Sequence, residues 1–252
     1  MSSYDFRSPR LYIDQALSPG ALLTLDRAQA HYLADVLRLR PGSPVLVFNG
    51  RDGEWRAVFA TGTRRSASLT LAAQNRPQTA PADLHYLFAP LKRTRLDYMV
   101  QKAVELGASR LQPVLTQHTQ AERVNSGRMR ANVIEAAEQC GILTLPDIGE
   151  PVSLAAAIGA LDASRLLVFC DEDAPRADPF ATLAAVRPAD RTGPVAAAVL
   201  VGPEGGFSAP ERAMLLGRTP VVRLALGPRI LRADTAAVAA LALVQAALGD
   251  WR

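Results

Sequence analysis

The chain has 252 residues, 49% of them hydrophobic, enough for one large core or two smaller ones. No apolar run reaches the length of a membrane span, and the opening stretch from Met1 to Arg7 lacks the hydrophobic segment of a secretory signal, so a cytoplasmic location is expected. The formal charge of +4 lies wholly in residues 1–80, which hold ten arginines against six acidic residues, while residues 81–252 hold eighteen of each sign.

Arginine outnumbers lysine heavily: Lys92 and Lys102 are the only lysines. That bias suits phosphate contacts and base stacking, and it equally suits a genome of skewed composition. Cys140 and Cys170 stand alone, which predicts buried, reduced thiols rather than a disulfide. His31, His85 and His118 are scattered, so no metal site is expected.

Residues 1–75 read as a small β-rich domain. Short strands are predicted at 10–13 and 22–25, then a helix from an Asp26 cap through Arg38, closed by Pro41-Gly42. Three more strands follow at 45–48, 54–60 and 67–73. Asn49-Gly50 with Asp52-Gly53 marks a hairpin between the first two. Many short strands and one helix in this length predict a small barrel. Its arginines Arg7, Arg10, Arg38 and Arg51 are candidate phosphate contacts; exposed arginines serving plain solubility is the competing reading.

Residues 76–83, rich in Pro and Ala and without periodicity, form a predicted linker. From 84 to 252 strands and helices alternate, which argues for a mostly parallel sheet. A strand at 84–89 leads to a helix opening at Thr94, with Leu96, Met99, Val100, Ala103 and Val104 as its apolar stripe and Gly107 as its stop. Lys102 and Glu105 lie on that helix, either as a solvated face or as part of a site. A strand at 111–115, a basic turn at 126–130 and a helix carrying Val133, Ile134 and Ala137 come next. A short helix at 153–161 and a strand at 166–170 precede the acidic turn Asp171-Glu172-Asp173. Glu172 reads as a solvated acid or as an acceptor for a ligand hydroxyl. A Pro-rich crossover is predicted at 174–192.

The C-terminal stretch carries the densest signal. A buried strand ends in the loop Gly202-Pro203-Glu204-Gly205-Gly206-Phe207-Ser208, and Ser208, Pro210 and Glu211 then start a helix. A second strand, 221–224, ends in the loop from Ala225 to Arg232, which feeds an Ala-rich helix from 233 to 248. Glycine at both strand ends permits positive φ and lets a ligand lie on the backbone. Paired loops at the C-terminal ends of strands suit a ligand crevice in an open α/β sheet, although Gly-Pro clusters also serve as plain turns. Neither a P-loop nor the G-x-G-x-x-G dinucleotide fingerprint is present.

Gly202-Pro-Glu-Gly-Gly-Phe-Ser208, together with Leu226-Gly-Pro-Arg-Ile-Leu-Arg-Ala-Asp-Thr235, resembles the signature of the RsmE family, ribosomal RNA uridine-N3 methyltransferases of the SPOUT superfamily. Gln101-Lys-Ala-Val-Glu-Leu-Gly107, Glu135-Ala-Ala-Glu-Gln139 and the stretch around His31-Tyr-Leu33 and Phe48-Asn-Gly50 extend the resemblance over most of the chain.

The resemblance implies an N-terminal PUA-like RNA-binding β-barrel and a SPOUT-type α/β domain with a deep trefoil knot. It also implies S-adenosylmethionine as cofactor, 16S ribosomal RNA of the small subunit as substrate, and a homodimer. The nearly all-apolar final helix, suited to burial under its own sheet or a second copy, is compatible with the last. The implied cofactor residues are Leu200, Val201, Gly202, Pro203, Glu204, Gly205, Gly206, Leu224, Leu226, Gly227, Ile230, Leu231 and Thr235. Arg232 is the candidate for stabilising a deprotonated uracil N3, or else a structural partner of Asp234 or Glu204; Glu204 is the candidate for accepting the proton or orienting the base. Lys102 joins the arginines as an RNA candidate. The family's usual arginines are replaced by His118 and Ile142, which puts substrate contacts in question more than the cofactor site. Methylation of another RNA or of a ribose 2′-hydroxyl, or a non-catalytic RNA-binding role, are the competing readings.

Overall fold

The computed structural model describes residues 5, 7–61, 67–120 and 123–251. They form two compact units, residues 1–80 with 137–145, and residues 81–136 with 146–252.

The first unit is a five-stranded sheet of order β1-β3-β4-β5-β2, with β1 Arg10–Tyr12, β2 Leu22–Thr24, β3 Pro44–Phe48, β4 Glu54–Thr61 and β5 Ala67–Arg76. β1 pairs with β3 in parallel and the other pairs are antiparallel. The β3–β4 connection is the expected hairpin, with Gly50 and Gly53 at φ 86° and 79°. No pairing joins the edge strands β1 and β2 among the described residues, yet Leu11 and Leu23 share one core with Val45, Phe59 and Leu69. The sheet therefore curls around its core without the hydrogen-bonded closure of the predicted barrel. β5 runs through Arg76 into the expected linker.

The helix in this unit is shorter than its sequence pattern predicts. Asp26 caps α1 (Arg27–His31) in a full capping box with Gln29, but residues Tyr32–Val36 continue as a π-helical turn. Arg38, expected to be helical, takes φ 55°, an uncommon left-handed conformation for a residue with a Cβ.

The second unit is an all-parallel sheet of order β12-β10-β11-β6-β7-β8, with β9 paired to β7. Its strands are β6 Leu84–Phe88, β7 Arg110–Leu115, β8 Asp147–Ile148, β9 Val152–Ser153, β10 Leu166–Cys170, β11 Ala197–Val201 and β12 Val221–Leu224. Helices α2 (Arg93–Glu105), α3 (Ser126–Cys140), α4 (Leu154–Gly159), α5 (Pro179–Ala184), α6 (Ala209–Leu216) and α7 (Ala233–Leu248) accompany it.

The predicted stripe of α2 is buried, and Gly107 stops the helix at φ 79°. Its cap is Lys92, without a side-chain bond, two residues ahead of the Thr94 expected from the sequence. The basic turn expected at 126–130 is already the first turn of α3. Within the predicted crossover, Asp178 caps α5 through its carboxylate, with Pro179 in the first turn.

α7 packs on α2, α5 and β11 of its own unit and buries Ala233, Ala236, Ala237, Ala240, Leu241, Val244, Ala247 and Leu248. Its other apolar residues, Val238, Ala239, Ala242, Leu243 and Ala246, are only half-covered. Among the described residues no helix is long and apolar enough to cross a membrane. Cys140 is exposed rather than buried as expected; Cys170 is half-covered, and neither is in a disulfide.

Candidate active site at three adjacent strand ends

β12, β10 and β11 are neighbours, and all three run the same way. Their C-terminal ends therefore deliver three loops to one place: Gly202–Ser208 after β11, Asp171–Asp173 after β10 and Ala225–Arg232 after β12. A crevice opens there, as expected for an open parallel sheet. Val201, Leu224, Leu226, Ala233 and Ala236 give it an apolar floor, and Gly202, Pro203, Glu204, Gly206 and residues 227–231 form its rim.

The glycine loop is shaped by contact. A Cβ on Gly202 would stand 2.6 Å from the Phe207 ring, which is itself packed edge-on against Phe169 in the core. Gly206 has φ 67°, and a Cβ there would meet the Glu172 carboxylate at 2.7 Å. The loop is closed by a bond from the Gly206 amide to the Pro203 carbonyl, and it ends in the predicted Ser208–Glu211 capping box at α6. Glu211 is held low in pKa: burial opposes ionisation, but hydrogen bonds from Ser208 and Gln117 outweigh it.

The second loop differs. Among the described residues the amides of Ala225, Leu226, Gly227, Arg229, Ile230 and Leu231 make no hydrogen bond within the protein. Unpaired backbone groups on a crevice rim, above an apolar floor, suit a ligand read by main-chain donors and acceptors, as a purine edge is.

Charged groups brace the rim. Asp171, buried at the end of β10, accepts from Arg223 of β12 at 2.7 Å and from Arg212 of α6 at 2.9 Å. Arg212 also reaches Asp173 at 2.5 Å. Glu172 is exposed and points toward the crevice beside Gly206. Cys170 lies beneath, its thiol pushed up to about 12 by burial and by neighbouring Asp171.

Ten of the thirteen expected cofactor residues line this crevice. Leu200 is buried in β11 beneath it, and Gly205 faces His118 instead. Thr235 is exposed on the first turn of α7 and does not line the crevice. Arg232 is the exposed N-cap residue of α7 and makes no ion pair among the described residues. The partner expected for it is taken: Arg95 of α2 binds both Glu204, at 2.7 Å, and Asp234, at 3.1 Å. His118 Nδ1 stands 3.3 Å from the Gly206 carbonyl oxygen, so this position touches the glycine loop itself. Ile142 packs onto the small apolar cluster of Phe48, Ala137 and Leu143.

The RNA candidates separate on inspection. Arg7 and Arg38 are exposed. Arg51 is exposed and paired with Asp14 at 3.0 Å. Lys102 is held by Glu105 at 2.8 Å and lies over the Tyr98 ring. Arg10 is corrected: its guanidinium is buried and bonded to Glu54, which Arg76 also binds, so it presents no charge to a phosphate.

A family model described as an RNA methyltransferase domain matches residues 78–245, and one described as an RNA methyltransferase PUA domain matches residues 25–72. A ribosomal RNA small subunit methyltransferase E from Synechocystis is 31% identical over 90% of this chain and 74% of its own. Its namesake from Rickettsia conorii is 29% identical over 94% of both. The crystal structure of the Neisseria gonorrhoeae protein of that name, bound to S-adenosyl methionine, superposes with a TM-score of 0.82 at 25% identity, over 98% of this chain and 100% of the other. With nearly the whole chain matched in sequence and fold, this protein belongs to the ribosomal RNA small subunit methyltransferase E family, the RsmE family.

Proposed function

We propose that this protein transfers a methyl group from S-adenosylmethionine to N3 of a uridine in 16S ribosomal RNA of the small subunit. The observation that carries the reading is the row of unpaired amides from Ala225 to Leu231 facing the glycine loop across an apolar floor. Those groups fit the cofactor: backbone for the adenine edge, Val201, Leu224 and Leu226 for its faces, and Glu172 as an acceptor for a ribose hydroxyl. When bound, the cofactor supplies a sulfonium methyl with a neutral thioether as leaving group. The chain's own work is positioning, which contributes roughly 7–11 kcal/mol in well-oriented reactions.

Uracil N3 must lose its proton before it is a good nucleophile. Arg232, exposed and without an acidic partner among the described residues, is the cation that favours the deprotonated base. Glu204 keeps one carboxylate oxygen on Arg95, and its Oε2 makes no hydrogen bond among the described residues, leaving it for the base or its proton. Because N3 is occupied in a Watson–Crick pair, the target is unpaired or flipped out when it reacts.

Further parts of this reading are a trefoil knot through the two C-terminal loops, a homodimer and a cytoplasmic location. The dimer is supported by the half-covered apolar residues of α7 and by Ile230, which is 89% exposed in the loop before that helix. Arg7, Arg38, Arg51 and Lys102 are the proposed RNA contacts, Arg38 foremost.

The test uses small ribosomal subunits lacking the modification, labelled S-adenosylmethionine and the full chain, with the digested RNA read by mass spectrometry. 3-Methyluridine at one site is the expected product. A labelled product of another kind, or none, would reject this assignment.

A further inference from the structure

Arg95 takes no part in the chemistry above, yet it binds Glu204 on the crevice rim and Asp234, the neighbour of Ala233 in the crevice floor. It sits in the first turn of α2, and its partners lie 109 and 139 residues further along the chain. Nη1 donates to Oε1 of Glu204 at 2.7 Å. Nε donates to Oδ2 of Asp234 at 3.1 Å, and Nη2 to Oδ1 of the same carboxylate at 3.3 Å. Asp234 is thus gripped by two parallel bonds, a fork-on-fork contact that fixes orientation as well as distance.

The partners are not equivalent surface acids. Glu204 belongs to the glycine loop after β11. Asp234 lies two residues beyond Arg232, in the first turn of α7, where its carboxylate also accepts from the Thr235 amide. One guanidinium therefore ties the loop that rims one side of the crevice to the helix start that carries the proposed catalytic cation. Hydrogen bonding to Arg95 is the main cause of the lowered Asp234 pKa, and the reverse contact is the main cause of the raised Arg95 pKa, so both stay charged across the physiological range.

Side-chain exposures of 34%, 45% and 18% for Arg95, Glu204 and Asp234 mean that water screens the network. Pairs this exposed add little to global stability. Their geometric effect is another matter, because the unbonded second loop has few contacts of its own to set where Arg232 stands.

We propose that Arg95 is the positioning residue of this site, setting the separation and orientation of the Gly202–Ser208 loop and the Arg232-bearing start of α7. The proposal rests on the reading of these loops as the cofactor cradle. Lysine is a poor substitute, since a point charge with rotating donors cannot hold two carboxylates in one fixed plane.

The experiment compares Arg95→Ala and Arg95→Lys with the unaltered full chain. It reads thermal stability, amide exchange at Gly206 and Ala236, S-adenosylmethionine affinity by calorimetry, and kcat on unmodified small subunits. For Arg95→Ala the expected result is a melting temperature within about 2 °C of the parent, faster exchange at both amides, affinity weaker by about tenfold, and a drop in kcat beyond that in affinity. Arg95→Lys should fall between the two. Parental exchange, affinity and kcat in Arg95→Ala would overturn the proposal; should that variant fail to fold, parental values of all three in Arg95→Lys would overturn it instead. No cofactor affinity in the unaltered chain would reject the cradle reading, and amide exchange would then decide alone whether Arg95 holds the two segments.

Discussion

Each unit of this protein holds an arginine–carboxylate network, and the two are built for different ends. In the first unit Glu54 of β4 is fully buried and bound by Arg10 of β1, Arg76 of β5 and Asn75. In the second, Arg95 is one-third exposed and bound to Glu204 and Asp234. The first joins strands already fixed by a hydrogen-bonded ladder, and both oxygens of its carboxylate are occupied. The second joins a helix to two segments that have few ladder bonds of their own. Burial therefore makes the Glu54 network a matter of stability, while exposure leaves the Arg95 network to govern the shape of the crevice.

The largest effect that would separate them is expected at Glu54. Removing the carboxylate leaves two guanidinium groups at the core without their counter-ion. Breaking a buried network from one side costs about 3–5 kcal/mol. Glu54→Gln should lower the melting temperature by roughly 10 °C, while cofactor affinity of the folded protein stays at its parental value. The acid limb sharpens this. Burial alone would raise the Glu54 pKa, but hydrogen bonds from Arg76, Arg10 and Asn75 outweigh it and hold it below the ordinary value of 4.5. A depressed folded pKa gives stability that is fully present above the unfolded pKa and is lost as pH falls through the folded value. Chemical unfolding between pH 6 and pH 3 should therefore show a steeper loss in the parent than in Glu54→Gln. Equal slopes and equal melting temperatures would dissolve the distinction between the two networks.

The next effect belongs to the crevice. Arg232→Ala removes an exposed cation that has no ion-pair partner among the described residues, so stability and cofactor affinity should stay within about twofold of the parent. The chemical step should slow by about 100-fold, equivalent to roughly 2.7 kcal/mol of transition-state stabilisation. Single-turnover kinetics with saturating cofactor isolates that step. Undiminished turnover would remove Arg232 from the mechanism and leave the crevice with geometry but no assigned cation.

What could be read from the sequence follows from how local each signal is. The α2 stripe from Leu96 to Val104 repeats at helical spacing, and every member is buried. Ser208 and Glu211 lie three residues apart, and the capping box forms. The Asp178-Pro179 start of α5 carried a comparable signal that the Pro-rich composition around it obscured. Arg10 was open to misreading because a three-residue strand offers no alternation to show which side faces inward, and its partner Glu54 lies 44 residues away. Arg95 escaped for the same reason at greater range. The π-helical turn at Tyr32–Val36 has the composition of an ordinary helix. The two-residue strands β8 and β9 are too short to leave a pattern. Motifs on adjacent loops were visible; the ion pairs that hold those loops in register were not.

The smallest effect tests whether the second loop needs a particular backbone shape as well as the clamp at its end. Gly227 has φ 96°, and a Cβ built there meets nothing within 4 Å. Gly202 is the opposite case, with ordinary φ and no room beside the Phe207 ring. Gly227→Ala therefore introduces strain without a clash, at a cost of roughly 1–2 kcal/mol. An exposed loop can relax, so the strain should appear as a shifted loop rather than a lost fold. Global stability should change by less than about 1 kcal/mol, while cofactor affinity weakens by about fivefold. If Arg95 alone set the loop, combining Gly227→Ala with Arg95→Ala would add no further loss of affinity. If loop shape and clamp act separately, the two losses should multiply, because among the described residues no hydrogen bond or ion pair joins Gly227 to Arg95, and independent sites add in free energy. A double-mutant cycle on cofactor affinity decides between them, and the separate contributions of Glu204 and Asp234 make the multiplicative outcome the expected one.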